Sequence, residues 1–111
     1  MYVIIEPSQA LAPTFIDAPL PKYEEVQKLL ADKNEDSVFI EAAYGQFKNK
    51  NIAILCDENG FAKRKPFCFA TKDYQYFGIV IICNFKNKSK FTDLTKAQIK
   101  ELKNYWASIK P

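Results

Sequence analysis

The uncharged stretch YFGIVIICN, residues 76–84, decides the fold of this chain. β-Branched and aromatic residues fill it, and a run of this length and composition is typical of a strand buried on both faces of a sheet. We therefore predict that residues 76–84 form the central strand. Gly78 within the run indicates a bulge or a close backbone approach. The other predicted elements cover this strand.

Several flanking segments predict further strands and one early helix. Apolar and β-branched runs bounded by prolines or polar turns predict strands at residues 2–6, 37–44 and 52–56, and either a short strand or an extended loop at residues 67–70. Apolar residues at three- and four-residue spacing predict a helix over residues 22–31, with one face formed by Tyr23, Val26, Leu29 and Leu30. The sequence thus predicts an α+β fold, in which two helices cover an antiparallel sheet of four or five strands.

The second predicted helix begins at Thr95. Gln98 follows three residues later, which is the spacing of a capping box, and Leu94 and Ile99 have the spacing of a hydrophobic staple. Trp106 then lies on the apolar face of the helix. We expect this C-terminal helix to pack Trp106 against the sheet.

Length and composition indicate one small globular domain, residues 1–111, with 48% apolar residues. The chain has three cysteines and no histidine, and no Cys-x-x-Cys spacing, so we predict no metal site and no disulfide framework. We also expect no cofactor. The short apolar N-terminus lacks the basic region of a signal peptide, and no apolar run is long enough to span a membrane, so a cytoplasmic protein is expected.

Charge is distributed unevenly along the chain. Residues 1–60 carry five lysines and ten carboxylates, whereas residues 61–111 carry eleven basic residues and three carboxylates. The net charges are therefore −5 and +8. Two interpretations remain open at this point. Either the two halves neutralise each other within the fold, or the basic half presents a field that attracts an anionic partner.

The candidate binding site is the basic and aromatic segment around residues 63–69. Basic side chains interleaved with aromatic rings are what single-stranded nucleic acid binding requires, because lysines contact phosphates and rings stack on bases. The predicted site residues are Lys63, Arg64, Lys65, Phe67, Tyr74 and Tyr76. The alternative is that the rings pack in the core and the charges are merely solvated. An acidic protein surface or a small anion would suit the same residues.

Two other features are weaker candidates for chemistry. Asp57 and Glu58 are adjacent, and adjacent side chains on an extended segment point to opposite sides, so turn formation explains them better than catalysis. Cys68 lies near the basic triplet, but without a histidine the usual base for a cysteine nucleophile is absent. We therefore predict that the protein is not an enzyme and has no catalytic residues.

The order of these segments resembles a family of short uncharacterised proteins of bacteriophages and mobile elements. The resemblance is carried by a strand ending in Glu6-Pro7, an early amphipathic helix, the turn Asp57–Gly60, a basic segment containing Pro66, and Phe91-Thr92-Asp93-Leu94-Thr95 before a C-terminal helix. It spans most of the chain. Asp57 stands where the family often has Asn, and Phe67 where it tends to have a polar pair.

The resemblance implies a genomic context rather than a reaction. Together with the charge asymmetry, it predicts a phage- or plasmid-encoded accessory protein, such as an anti-defence protein, that acts by stoichiometric binding. The expected partner is a host protein or a small anionic ligand, and the alternative is nucleic acid. No membrane partner is expected, and the oligomeric state stays open, with a dimer among the options.

Overall fold

The computed structural model describes residues 1–109, which form eight strands and two α-helices. The strands are β1 (Tyr2–Ile5), β2 (Thr14–Ile16), β3 (Ile40–Tyr44), β4 (Ile52–Asp57), β5 (Phe67–Ala70), β6 (Gln75–Phe77), β7 (Val80–Lys86) and β8 (Lys90–Thr92). The helices are α1 (Tyr23–Leu29) and α2 (Lys96–Ile109), and a short 3-10 helix covers Pro7–Gln9.

The main sheet is antiparallel and contains six strands. Its order is β2-β1-β7-β4-β3, and β8 pairs with the far end of β7. Strand β7 pairs with β1 on one side and β4 on the other, and its first four residues, Val80–Cys83, are completely buried. The α+β class, the antiparallel sheet and the two helices are as predicted. Strands β5 and β6 form a separate two-stranded sheet.

The predicted central strand is interrupted at Gly78. This glycine has φ +87°, and a side chain added there would approach Cδ of Lys65 to 3.0 Å. A left-handed φ without steric cost requires glycine. The prediction of one strand over residues 76–84 is therefore wrong at its start, because Tyr76 belongs to β6 and only the residues from Val80 onward form the central strand.

Two apolar clusters lie on opposite faces of the main sheet, because successive residues of a strand point to opposite faces. On one face, Val26 and Leu30 of the α1 region pack against Leu55 and Ile81. On the other face, residues of α2 and of the β5–β6 sheet cover alternate residues of the same strands: Leu102, Trp106, Cys68 and Tyr76 pack with Ile54 and Ile82. Trp106 packs against the sheet as expected.

The early elements are shorter than predicted. Helix α1 ends at Leu29, and Tyr23 and Leu29 are about half exposed, so only Val26 of the helix is buried. Strand β3 begins at Ile40 rather than at residue 37. The buried face of α1 is therefore narrower than the face predicted from the spacing of its apolar residues.

Helix α2 is fixed at its N-terminus and to the β3–β4 turn. Thr95 Oγ1 accepts a hydrogen bond from the backbone N–H of Gln98, and Gln98 Oε1 accepts one from the backbone N–H of Thr95, which confirms the capping box. The carboxylate of Glu101 accepts hydrogen bonds from the backbone N–H groups of Lys48 and Asn49, at 2.7 and 3.0 Å. The turn after β3 is thereby held against α2. Within residues 1–109, no helix has the length and apolarity needed to cross a membrane.

Candidate binding site

Lys63 and Lys65 lie in one ion-pair cluster, in which Lys65 is buried and Lys63 is partly exposed. Lys65 Nζ is 2.8 Å from Asp57 Oδ2 and 2.7 Å from Glu35 Oε1, and it donates a hydrogen bond to the carbonyl of Leu30 at 3.3 Å. Lys63 Nζ is 2.9 Å from the same Asp57 oxygen and also contacts Glu35. The side chains of Lys65 and Asp57 are each only 1% exposed. The cluster therefore joins the segment after α1 to the end of β4.

Partners within the cluster outweigh the cost of burying its charges. Hydrogen bonds from Lys63 and Lys65 lower the pKa of Glu35 to about 2. Burial acts to raise the pKa of Asp57, but the two lysines together lower it. Both carboxylates are thus ionised and both lysines charged at neutral pH. The interpretation in which the two halves of the chain neutralise each other holds at this cluster.

The predicted free basic surface is not formed by Lys63 and Lys65. Ion pairs with Glu35 and Asp57 compensate the charges of both lysines. In addition, the side chain of Lys65 is too buried to reach a macromolecular partner. Arg64 is exposed, makes no ion pair within residues 1–109, and has φ +61°, which is unusual for a residue with a side chain. Only Arg64 of the triplet is therefore available to a partner.

The three predicted aromatic site residues have different environments. Phe67 and Tyr74 are 52% and 46% exposed, whereas Tyr76 is buried and stacks on Phe69 at 4.8 Å. Phe67 contacts the ring of Phe77 at 5.7 Å. The structure thus brings Arg64 and Phe67 to the surface but places Tyr76 in the core, so the six predicted residues do not form one continuous binding face.

The cysteines are unsuited to nucleophilic chemistry. All three are free and buried. Burial raises the pKa of the Cys68 thiol to about 12, so the thiolate is scarce at neutral pH. Asp57, the other candidate, accepts hydrogen bonds from Lys63 and from the backbone N–H of Asn59.

A second basic region lies along one side of α2, from Ala97 to Ser108, in a groove of about 1010 Å³. One wall is the exposed side of α2, and the others are the turn after β3 and the turn between β5 and β6. Phe47 forms part of the floor, and its ring contacts Tyr105 edge-on at 5.2 Å. Four lysines line this groove, which we call the lysine groove: Lys48, Lys50, Lys72 and Lys100.

The carboxylates of the lysine groove already have partners. Glu101 accepts two backbone hydrogen bonds from the turn after β3, and Asp73 accepts one from the side-chain amide of Gln46 at 3.2 Å. Within residues 1–109, none of the four groove lysines forms an ion pair, and only Lys50 hydrogen-bonds a backbone carbonyl, that of Gly45 at 3.4 Å. The lining therefore has four lysines against two carboxylates, which leaves the groove with a net positive charge.

Sequence reasoning missed this groove because its lysines are far apart in the chain. Lys48 and Lys50 lie in the turn after β3, Lys72 lies in the turn between β5 and β6, and Lys100 lies on α2. The fold brings them together through the two hydrogen bonds to Glu101. A predicted contact between the β3–β4 turn and α2 would have been needed to find the site.

Residues 1–107 match the family model of a domain of unknown function, DUF3846. The chain belongs to this family. The DUF3846 match includes the ion-pair cluster, strands β1–β8 and the four groove lysines. The resemblance to an uncharacterised family is thereby confirmed at the level of the family. No curated protein and no solved structure matches the chain significantly.

Proposed function

We propose that this protein acts by stoichiometric binding of an anionic ligand in the lysine groove, as a cytoplasmic accessory protein encoded by a phage or plasmid, and not by catalysis. The observation that supports binding is the set of four lysines around one groove with no ion-pair partner in residues 1–109. The proposed contact lies in the lysine groove and not at the Lys63–Lys65 segment that the sequence predicted. Its phage or plasmid context, including a role against host defence, rests on the sequence resemblance.

The size and composition of the groove favour an extended anion over a single ion. A volume of about 1010 Å³ lies at the upper end of the range typical of small-molecule sites. The lysines approach it from three separate segments, so they could contact several anionic groups of one ligand at once. Asn104 and Ser108 on α2 add neutral hydrogen-bonding groups to the same lining.

Nucleic acid is the second candidate, and a specific feature favours it. Tyr105 lines the groove beside the lysines and is partly exposed. A ring next to several ammonium groups provides both a stacking surface for a base and contacts for phosphates. Single-stranded nucleic acid would therefore use the same groove as a small anion, with Tyr105 as the distinguishing residue.

The test compares two charge-matched variants. Lys72→Gln combined with Lys100→Gln removes two groove lysines, and Lys33→Gln combined with Lys86→Gln removes two exposed lysines elsewhere. Fluorescein-labelled ten-residue oligothymidine and inorganic tripolyphosphate are titrated against both variants and the unmodified protein. The groove variant should bind either probe at least tenfold more weakly than the control variant.

The two candidates differ in their response to Tyr105→Leu and to salt. Loss of stacking should weaken oligothymidine binding by about fivefold or more and leave tripolyphosphate binding unchanged. Removing two phosphate contacts should reduce the salt slope for oligothymidine by about 1.4. Equal binding by the groove and control variants would refute the groove as the site.

A further inference from the structure

Strand β3 is an edge strand with unpaired backbone groups. It pairs with β4 alone within residues 1–109. Hydrogen-bonded residues alternate along an antiparallel pair. The Glu58 N–H donates to the Phe39 carbonyl at 2.8 Å, so Phe39 directs its carbonyl toward β4. Every second residue after Phe39 has the same orientation, and Glu41 and Ala43 therefore also direct their backbone groups toward β4. The remaining residues of the strand direct theirs away from the sheet: Ile40, Ala42 and Tyr44.

The partner side of β4 agrees with this assignment. The Phe85 N–H donates to the carbonyl of Asn51 at 2.7 Å, so alternate β4 residues from Asn51 onward, Ala53 and Leu55, face β7. The intervening residues Ile54 and Cys56 then face β3. None of the turn and side-chain hydrogen bonds in residues 1–109 uses the outward groups of β3. The edge thus offers three N–H groups and three carbonyls to another strand.

The opposite edge of the sheet is better protected. Strand β2 has only three residues and directly follows Pro13, and Lys103 lies over the ring of Phe15. Short edge strands, prolines and lysines are the usual means of preventing strand addition. Strand β3 has five residues and neither proline nor lysine. If the sheet gains a strand, β3 is therefore the edge that accepts it.

The surface beside β3 indicates which kind of strand fits. A cavity of about 120 Å³ adjoins the edge, and its lining includes the carboxylates Glu41 and Glu58 and the rings of Tyr74 and Phe61. Both carboxylates are exposed, and neither forms an ion pair within residues 1–109. Carboxylates next to aromatic faces attract the end of a lysine or arginine side chain. Ile40 and the half-exposed Tyr44 lie on the other face of the strand and favour apolar neighbours.

We propose that β3 is a docking site for an antiparallel strand of a partner protein with the pattern apolar–basic–apolar. The basic side chain lies opposite Glu41 and enters the cavity, and its apolar neighbours contact the face of Ile40 and Tyr44. Backbone hydrogen bonds supply the attraction, and the side chains select the sequence. This surface is separate from the lysine groove, so its occupation is independent of the proposed function.

A second copy of this chain fits the edge less well. Antiparallel pairing centred on Ala42 would place the Glu41 side chains of the two copies on one face as diagonal neighbours, roughly 7–8 Å apart. Strand β3 itself carries no basic residue that could compensate them. Charge complementarity therefore favours a foreign basic strand over self-association.

The test uses two labelled peptides, Ser-Val-Lys-Val-Ser and Ser-Val-Glu-Val-Ser, and three proteins. The unmodified protein should bind the lysine peptide about fivefold more tightly than the glutamate peptide. Glu41→Lys should reverse this preference, whereas Glu24→Lys, which makes the same charge change on α1, should keep it. The backbone amides of Ile40, Ala42 and Tyr44 should show slower hydrogen exchange when the lysine peptide is bound.

Three results would overturn the proposal. These are equal binding of the two peptides, no binding of either at millimolar concentration, and slower exchange at residues other than those of β3. Sedimentation velocity tests whether a second copy of the chain occupies the β3 edge. A concentration-dependent dimer that Ala42→Pro abolishes, in a variant with unchanged circular dichroism, would show that a second copy occupies the edge and would exclude the foreign strand.

Discussion

Replacing Lys65 with methionine tests whether the ion-pair cluster holds the fold together. The substitution keeps most of the aliphatic chain but removes the ammonium that lies 2.8 Å from Asp57 and 2.7 Å from Glu35. Asp57, whose side chain is 1% exposed, would stay buried with fewer partners. Removing one member of a buried pair typically costs about 3–5 kcal/mol, because the other charge loses its compensation.

The contacts that remain after Lys65→Met place the expected loss of unfolding free energy near the lower limit of this range. Asp57 keeps Lys63 at 2.9 Å and the backbone N–H of Asn59 at 2.8 Å, and Glu35 also keeps its contact with Lys63. We therefore expect Lys65→Met to lower the free energy of unfolding by about 3 kcal/mol. Combining it with Asp57→Leu should cost clearly less than the sum of the two single changes, because the double variant has no unpaired charge.

Urea denaturation at pH 7, followed by circular dichroism, measures these differences. Lys28→Met is the matched control. Lys28 pairs with Glu25 at 3.5 Å on the surface of α1, and both side chains are more than half exposed. That control should change stability by no more than about 0.5 kcal/mol. A Lys65→Met variant within about 1 kcal/mol of the control, or additive single and double variants, would refute a structural role for the cluster.

The other predictions concern pH, backbone conformation and helix capping. Since Glu35 has its pKa lowered from 4.5 to about 2, its stabilising contribution is complete above pH 4.5 and declines as the pH falls toward 2; urea titrations from pH 5 to 2 should therefore show a smaller loss for Glu35→Gln than for the unmodified protein. Gly78→Ala should destabilise by about 1–3 kcal/mol because φ is +87° and the new methyl group meets Lys65, and a crystal structure without any shift of Lys65 together with unchanged stability would contradict this. Thr95→Ala should cost about 1 kcal/mol in thermal unfolding through loss of the cap to Gln98, whereas Thr95→Ser should retain most of the stability.

Local sequence patterns predicted the parts of the fold that depend on neighbouring residues. The capping box of α2 needs only Thr95 and Gln98, and the buried character of residues 80–83 follows from their uninterrupted apolar composition. Gly78 indicated a break before that strand, but it did not indicate how many residues the break removes from the strand. The side chain that lies closest to Gly78 belongs to Lys65, thirteen residues earlier, so a pattern confined to residues 76–84 could not reveal this contact.

Long-range pairing decided the candidate site, and sequence patterns do not contain it. The sequence left open whether Lys63 and Lys65 are free or neutralised, because one of their partners, Glu35, is 28 and 30 residues away. The same limitation concealed the lysine groove, where Lys48 and Lys100 line one groove and Glu101 holds the turn after β3 against α2. Charge composition left open whether the basic half is neutralised within the fold, and it could not show which lysines lack an ion-pair partner.

The position of β7 in the sheet has a consequence for synthesis of the chain. Strands β1 and β2 form one ribbon and β3 and β4 another, and only β7 joins the two in the main sheet. While the ribosome has not yet released residues 80–86, the nascent chain holds two isolated two-stranded ribbons, which are marginal in water. Productive folding of the main sheet must therefore wait until β7 has emerged, and until then the apolar faces of both ribbons are exposed.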